Sequence, residues 1–291
     1  LNENAIPLGP GVFLVFKDKL EEQTYLTERQ RSRQNWRQIS KPISKPAMQK
    51  KSRELFAVHK TLLEDFWYTC LDLGRIPAND EFDHSEQIRY VCGSHAKAFT
   101  VCKHNFGVEH FNASITKREE DLLVYFALSF FKKRDSYIRM PQSLQRDIKA
   151  LFGNYSSARE KGKAVLFRIN APEVIYKACQ DAHQTLPASQ LNGQHDFIFH
   201  KQYLNQCPMI LRVYVGCALQ MYGELDEVSL IKAHITSGKV SLLVFDDWKK
   251  DTPLLKERIK IKMRDQEIDF FDYYGDYAPV PLESKAPFET S

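Results

Sequence analysis

Residues 28–53, ERQRSRQNWRQISKPISKPAMQKKSR, are the stretch that most limits how this chain can fold. They hold nine cations (Arg29, Arg31, Arg33, Arg37, Lys41, Lys45, Lys50, Lys51 and Arg53) against the single acid Glu28, a net charge of +8. The whole chain carries only +4, so everything outside the stretch sums to −4. A ribbon so charged and so poor in apolar side chains cannot form a core of its own. Its charge is what a nucleic-acid backbone would neutralise. Two Ser-Lys-Pro triplets lie within it, and each proline blocks a helix and biases its predecessor to extended geometry. The stretch predicts a boundary, a cationic linker between separately folding parts. The plainer reading is a solvated linker whose charge only keeps the protein in solution.

On both sides of that boundary there is material for a core. The chain has 291 residues, of which 43% are apolar and 12% aromatic, enough for two ordinary domains. Cys70, Cys92, Cys102, Cys179, Cys207 and Cys217 are scattered and form no CxxC pair. A chain this long needs no disulfide framework, so reduced thiols in a cytoplasmic setting are expected. No apolar run approaches the roughly 20 residues of a membrane helix, and no signal peptide opens the chain. No membrane partner is expected. The first residue is Leu rather than Met, which predicts that the natural start lies upstream.

Along the chain, Val12 to Phe16 is a short β-prone run with no partner in view, so it is expected to belong to a sheet that is mostly missing or built elsewhere. Lys19 to Arg37 reads as a polar helix. Leu55, Phe56, Leu62, Leu63, Phe66, Trp67 and Leu71 fall at helical spacing, with Gly74 as the stop. Asp83 to Lys103 gives a second helical stretch, broken at Gly93-Ser94. Glu119 to Lys132 is a third, and Pro141 opens a fourth. Ser157 to Phe167 and Pro172 to Ala182 read as helices, Pro172 in a first turn. Asp196 to His200 is a strand, and Cys207 to Tyr222 an apolar helix central to a core. Ser229 to His234 and Val240 to Phe245 make a hairpin. RIKIKMR, from Arg258 to Arg264, alternates with period two, a strand with a cationic outer face; Glu267 to Tyr274 is its partner. The tail beyond Gly275 is expected to be loosely ordered. The expected fold class is α+β. Residues 1–53 would be the terminal strand of an upstream domain plus basic helix and linker, 54–155 a helical bundle domain, and 156–291 a mixed domain with a small, mainly antiparallel sheet and an acidic tail.

Three constellations carry possible chemistry. The basic ribbon would contact phosphates in any sequence context, with Trp36 stacking on a base. Cys92, His95, Cys102, His104 and His110 contain zinc-ligand types, but their spacing fits no familiar finger, and buried thiols are ordinary core residues. No metal is assigned. Arg212, Lys232, His234, Lys239, Asp247 and Asp251 could line an anion pocket. Alternatively Arg212 is a structural cation paired with an acid such as Asp247, because a charge in an apolar helix must be paired. No phosphate-binding glycine loop, dinucleotide fingerprint, serine elbow or methyl-donor glycine motif occurs, so no catalytic residue is assigned.

Two resemblances add to this. Gly74, Pro77, Gly93 and Ser94 sit in a segment that resembles the small helical repeats beside homing-type endonuclease domains; two core helices joined by an ordinary turn explain it equally. More of the chain is covered by the second. DLLVYFAL, QRDIKALFGNYSSA, LRVYVGCALQMYGE, SLIKAH and KVSLLVFDDW, in order from residue 121 to residue 248, resemble the C-terminal half of the DNA phosphorothioation-associated methyltransferases, and GPGVFLVFKD resembles the junction where the family's methyltransferase domain ends. The resemblance implies a bacterial DNA-modification and defence setting, with S-adenosylmethionine bound by a domain upstream of Leu1 and no cofactor in this chain. It departs at Val215, where the family carries Glu. The implied function is a DNA-engaging accessory region whose partners are duplex DNA, with or without phosphorothioate, and other modification-system proteins. Rival readings are a metal-dependent phosphodiesterase using Lys232, His234, Asp247 and Asp251, and a protein-interaction scaffold of a restriction-modification system.

Overall fold

The computed structural model describes residues 5–9, 12–43, 50–132, 136–223, 225–274, 278–282 and 284–288. It has an α+β fold divided into two compact units that interleave along the chain. A helical unit takes Arg31–Leu122 and Gln142–Tyr155; an α+β unit takes Leu1–Gln30, Leu123–Pro141 and Ser156–Ser291. The chain thus crosses between units several times, where the sequence predicted three consecutive blocks. The cause is where apolar side chains find cover: Trp36 draws the basic stretch into the helical unit, and the apolar run at residues 122–128 belongs mostly to the other.

In the helical unit, α2 (Trp36–Ile39), α3 (Lys50–Val58), α4 (Lys60–Leu73), α5 (Ser85–Cys92) and α6 (His95–Phe106) enclose one aromatic core. Trp67 is fully buried and stacks on Phe106 with centroids 5.2 Å apart. Gly74 ends α4 in the left-handed region, φ 64°, where a side chain would also meet Arg118 Cβ at 2.9 Å. Gly93 and Ser94 separate α5 from α6 as expected, Ser94 Oγ accepting from Lys97 N at 3.2 Å. α7 (Glu109–Leu128) gives residues 109–122 to this unit, and α8 (Gln142–Phe152) completes it. Asp147 of α8, 1% exposed, accepts from Arg75 at 2.6 Å and from Arg118 at 2.6 Å, while Arg75 forks onto Glu81 at 2.7 Å. Removing one member of such a buried set leaves an uncompensated charge, so the network fixes this geometry.

In the α+β unit, β1 (Ala5–Gly9) and β2 (Val12–Val15) pair as an antiparallel hairpin. The run at Val12 therefore has its own partner, correcting the expectation of an orphan strand. α1 (Lys19–Arg29) stops at Gln30, short of the predicted Arg37, and Gln23 accepts from the Tyr125 hydroxyl. α9 (Tyr155–Arg168) crosses the end of α7 at Gly162, where any Cβ would come within 2.6 Å of Phe126. α10 (Pro172–Thr185) and α11 (Met209–Tyr222) follow. Ile210 to Leu219 are all buried, so α11 is the central helix that its composition implied.

The main sheet is antiparallel throughout, in the order β3 (Gln190–Asn192), β4 (Asp196–His200), β5 (Leu230–His234), β6 (Lys239–Phe245), β7 (Leu254–Lys262), β8 (Glu267–Asp272), with β9 (Val280–Pro281) also on β7. Phe197, Phe199, Ile231, Ala233, Val240, Leu242, Ile259 and Ile261 line one face in matching register, and α11 lies against β6 and β7. The tail is more structured than expected. It supplies β9 and Phe288, 3% exposed, to a small cluster with Leu230 and Phe245 on the outer face.

Candidate nucleic-acid interface

The basic stretch is not a bare linker. Trp36 is 6% exposed in the core of the helical unit, so it is not presented to a base. Ser40 is fully buried and accepts from Trp67 Nε1 at 2.9 Å, and Ile43 N donates to Asn105 O at 2.8 Å. Residues 31–43 are therefore a strap. Two of its arginines are engaged within the same unit: Arg37 pairs with Asp65 at 2.8 Å and lies over Tyr68, and Arg31 donates to the main-chain carbonyl of Asp72 at 2.7 Å. Burial raises the Asp72 carboxyl above its ordinary range, against the opposing pull of Arg31, Arg33 and Arg37. Arg33, Arg37, Lys41 and Arg53 are exposed, and Arg29 is half-buried at the end of α1. Lys45 and the side chains of Lys50 and Lys51 lie outside the described residues.

The second constellation separates into parts. Arg212, 4% exposed, donates to Gln30 O at the end of α1, so its charge meets the carbonyl end of a helix rather than Asp247. Asp247 is exposed beyond the far end of β6 and accepts from Lys249 N at 2.9 Å; Asp251 is exposed further on. His234 pairs in register with Lys239, at the opposite end of β6. Seven residues of strand separate the ends by roughly 20 Å. The four residues of the phosphodiesterase reading are therefore not gathered, because strand direction sets them apart.

Lys232, His234 and Lys239 do come together, on the outer face of the sheet away from the Phe288 cluster. One row across the strands reads Asn192, Asp196, His234, Lys239, Lys262, Glu267; the next reads Gln190, Ile198, Lys232, Ser241, Lys260, Asp269. Lys232 pairs with Asp196 at 2.9 Å, and Lys262 with Asp269 at 2.9 Å and Glu267 at 3.2 Å. Lys239 and Lys260 have no acidic partner among the described residues. Lys239 stands directly opposite Lys262, whose charge is already met by Asp269 and Glu267. His234 Nε2 meets Ser241 Oγ at 3.0 Å. Burial first, then Lys232, Lys260 and Lys239, hold its pKa down to about 4 against the opposing pull of Asp196. The patch thus excludes one more positive charge. Ser241 is 2% exposed and is a support for the imidazole rather than a nucleophile.

Lys260 and Lys262 were legible only as a cationic strand face. Their place beside Lys232 and Lys239 needs the register, which no local pattern carries. Of the Cys and His set, Cys92, His95 and Cys102 resolve into core packing, and His104 and His110 are half-buried on α6 and α7. Cys102 Sγ donates to Leu63 O at 3.3 Å, His95 Nδ1 meets Pro77 O at 2.8 Å, and burial pushes the Cys102 and Cys92 thiols up. Among the described residues no group of three or more His, Cys, Asp or Glu is placed to hold a metal ion, and no helix is long and apolar enough to cross a membrane. Comparison with protein-family models, with curated proteins and with solved structures finds no match.

Proposed function

We propose that this chain is a DNA-engaging accessory region that holds a duplex by its phosphates through the outer face of the C-terminal sheet. The observation that carries the reading is the pair Lys239 and Lys260, set without acidic partners among the described residues in a patch that already keeps His234 uncharged. Lysines on successive strands present point charges a few ångströms apart and carry no base readout, which suits backbone contact. In the helical unit, Arg33, Arg37 and Lys41 of the strap are exposed in their own right, with part of their field cancelled locally. The setting is bacterial DNA modification of the phosphorothioation type; the strings between residues 121 and 248 that resemble that family support it. The methyl-transfer chemistry of such a system would belong to an upstream domain binding S-adenosylmethionine.

Fluorescence anisotropy with a short duplex tests the proposal. Affinity is expected to fall steeply with salt, and Lys239→Ala/Lys260→Ala to lower the log–log salt slope by about two and the affinity roughly tenfold per lysine near 0.1 M salt. A slope and affinity unchanged by the double variant would overturn it.

A further inference from the structure

The α+β unit contains a cavity of about 980 Å³ that the backbone-binding reading does not use. It lies at the same end of the sheet as the cationic rows, since Gly238 precedes Lys239 and Arg264 follows Lys262 by two residues. Its lining is of three kinds. Phe131 and Phe167, 53% and 63% exposed, offer ring surface. Asn170, Gln220 and Gln266 bring three side-chain amides. Arg264 brings positive charge, whereas Lys19 is paired with Glu22 at 2.8 Å.

Two backbone features hold this arrangement. Gly238, at φ 65°, leaves the space in which the Arg264 side chain lies; a Cβ there would stand 2.8 Å from Arg264 Nε. Gln266 occupies the left-handed region at φ 57°, the one non-glycine residue to do so among the described residues. Glycine or asparagine would take that conformation more easily.

No activated nucleophile faces the cavity among the described residues. Burial pushes the Cys217 thiol up to about 12, and the Tyr214 hydroxyl donates to His234 O at 2.6 Å and Lys239 O at 3.1 Å. The cavity is therefore built to bind rather than to react. Rings to stack on, amides to meet a hydrogen-bonding edge and a guanidinium for an anion together match one ligand chemistry. A long-chain carboxylate would use the apolar wall and Arg264 but leave the amides without partners. We infer that the cavity takes a nucleotide, its base among Phe131, Phe167 and the amides and its phosphate at Arg264. Free mononucleotide and a nucleotide turned out of a strand are the two sources of that chemistry.

Isothermal titration calorimetry of the whole chain with AMP, GMP, CMP and UMP tests this. Saturable binding of at least one is expected, weakened at least tenfold by Arg264→Ala, severalfold by Phe167→Ala, and by removing the phosphate from the ligand. Arg264 is exposed, and an unchanged melting curve shows that its variant folds. Lys239→Ala/Lys260→Ala should leave mononucleotide affinity within twofold, which separates this site from the sheet face. A single strand carrying 2-aminopurine distinguishes the sources: displacement of the mononucleotide with a change in emission points to a strand, and its absence to the free nucleotide. Absence of binding by all four at millimolar concentration would overturn the inference. So would affinity indifferent to both Arg264→Ala and Phe167→Ala, or oleate binding that no nucleotide displaces.

Discussion

The strap at residues 31–43 and the outer face of the sheet carry positive charge in opposite ways. The strap is dense in cations along the chain, yet Trp36 and Ser40 fix it in the helical unit, where Asp65 and the carbonyl of Asp72 engage two of its arginines. On the sheet Lys232 and Lys239 stand in windows of ordinary charge, and only Lys260 lies in a conspicuous cationic run, RIKIKMR. Antiparallel register gathers them into adjacent rows, and two are left without acids among the described residues. Charge per residue along a chain is thus a poor guide to the field at a surface. The field depends on which acids fold against the cations.

The largest expected effect tests whether the strap is anchored. Trp36→Ala should cost about 3–5 kcal/mol in the unfolding of the helical unit, read by urea denaturation; a free linker would tolerate the change with almost no loss. Next comes a direct contrast in DNA binding. The triple variant Arg31→Ala/Arg33→Ala/Arg37→Ala should lower the salt slope by fewer than two units, less per residue than the Lys239 and Lys260 pair, because Arg31 and Arg37 are already engaged. The reverse ranking would invert the comparison. The smallest effect is in pH. His234 titrates at about 4 in the folded chain against 6.5 for an unperturbed histidine, so the unfolded chain binds the extra proton between those values. Stability should therefore fall as pH drops through that window, by at most one proton's worth of slope. His234→Asn should flatten that part of the curve.

Much of the fold was legible where the signal was local. Gly74 and the Gly93-Ser94 pair ended and began helices as expected, and Asp196–His200 is the strand read from its composition. What was not legible depended on distant partners. Val12 to Val15 found β1, the tail found the start of β7, and Arg212 found the end of α1. For the candidate site, three of the six residues read as an anion pocket share the sheet face, because alternate residues of paired strands point the same way. Arg212 sits on the helix behind, and Asp247 and Asp251 lie past the other end of β6. The cavity draws on six or more separated segments, and no motif announces such a site.

The interleaving of the two units bears on how this chain can be cut. The α+β unit needs α1 from before the strap and the end of α7 from the middle of the sequence, where Tyr125 meets Gln23 and Phe126 meets Gly162. A piece expressed from Ser156 onward would expose the surfaces that those segments cover, and a piece stopped at Leu122 would lack α8 and the carboxylate of Asp147. During synthesis the end of α1 must wait for Arg212 of α11, 182 residues beyond Gln30, so the α+β unit cannot close until long after its first helix is made.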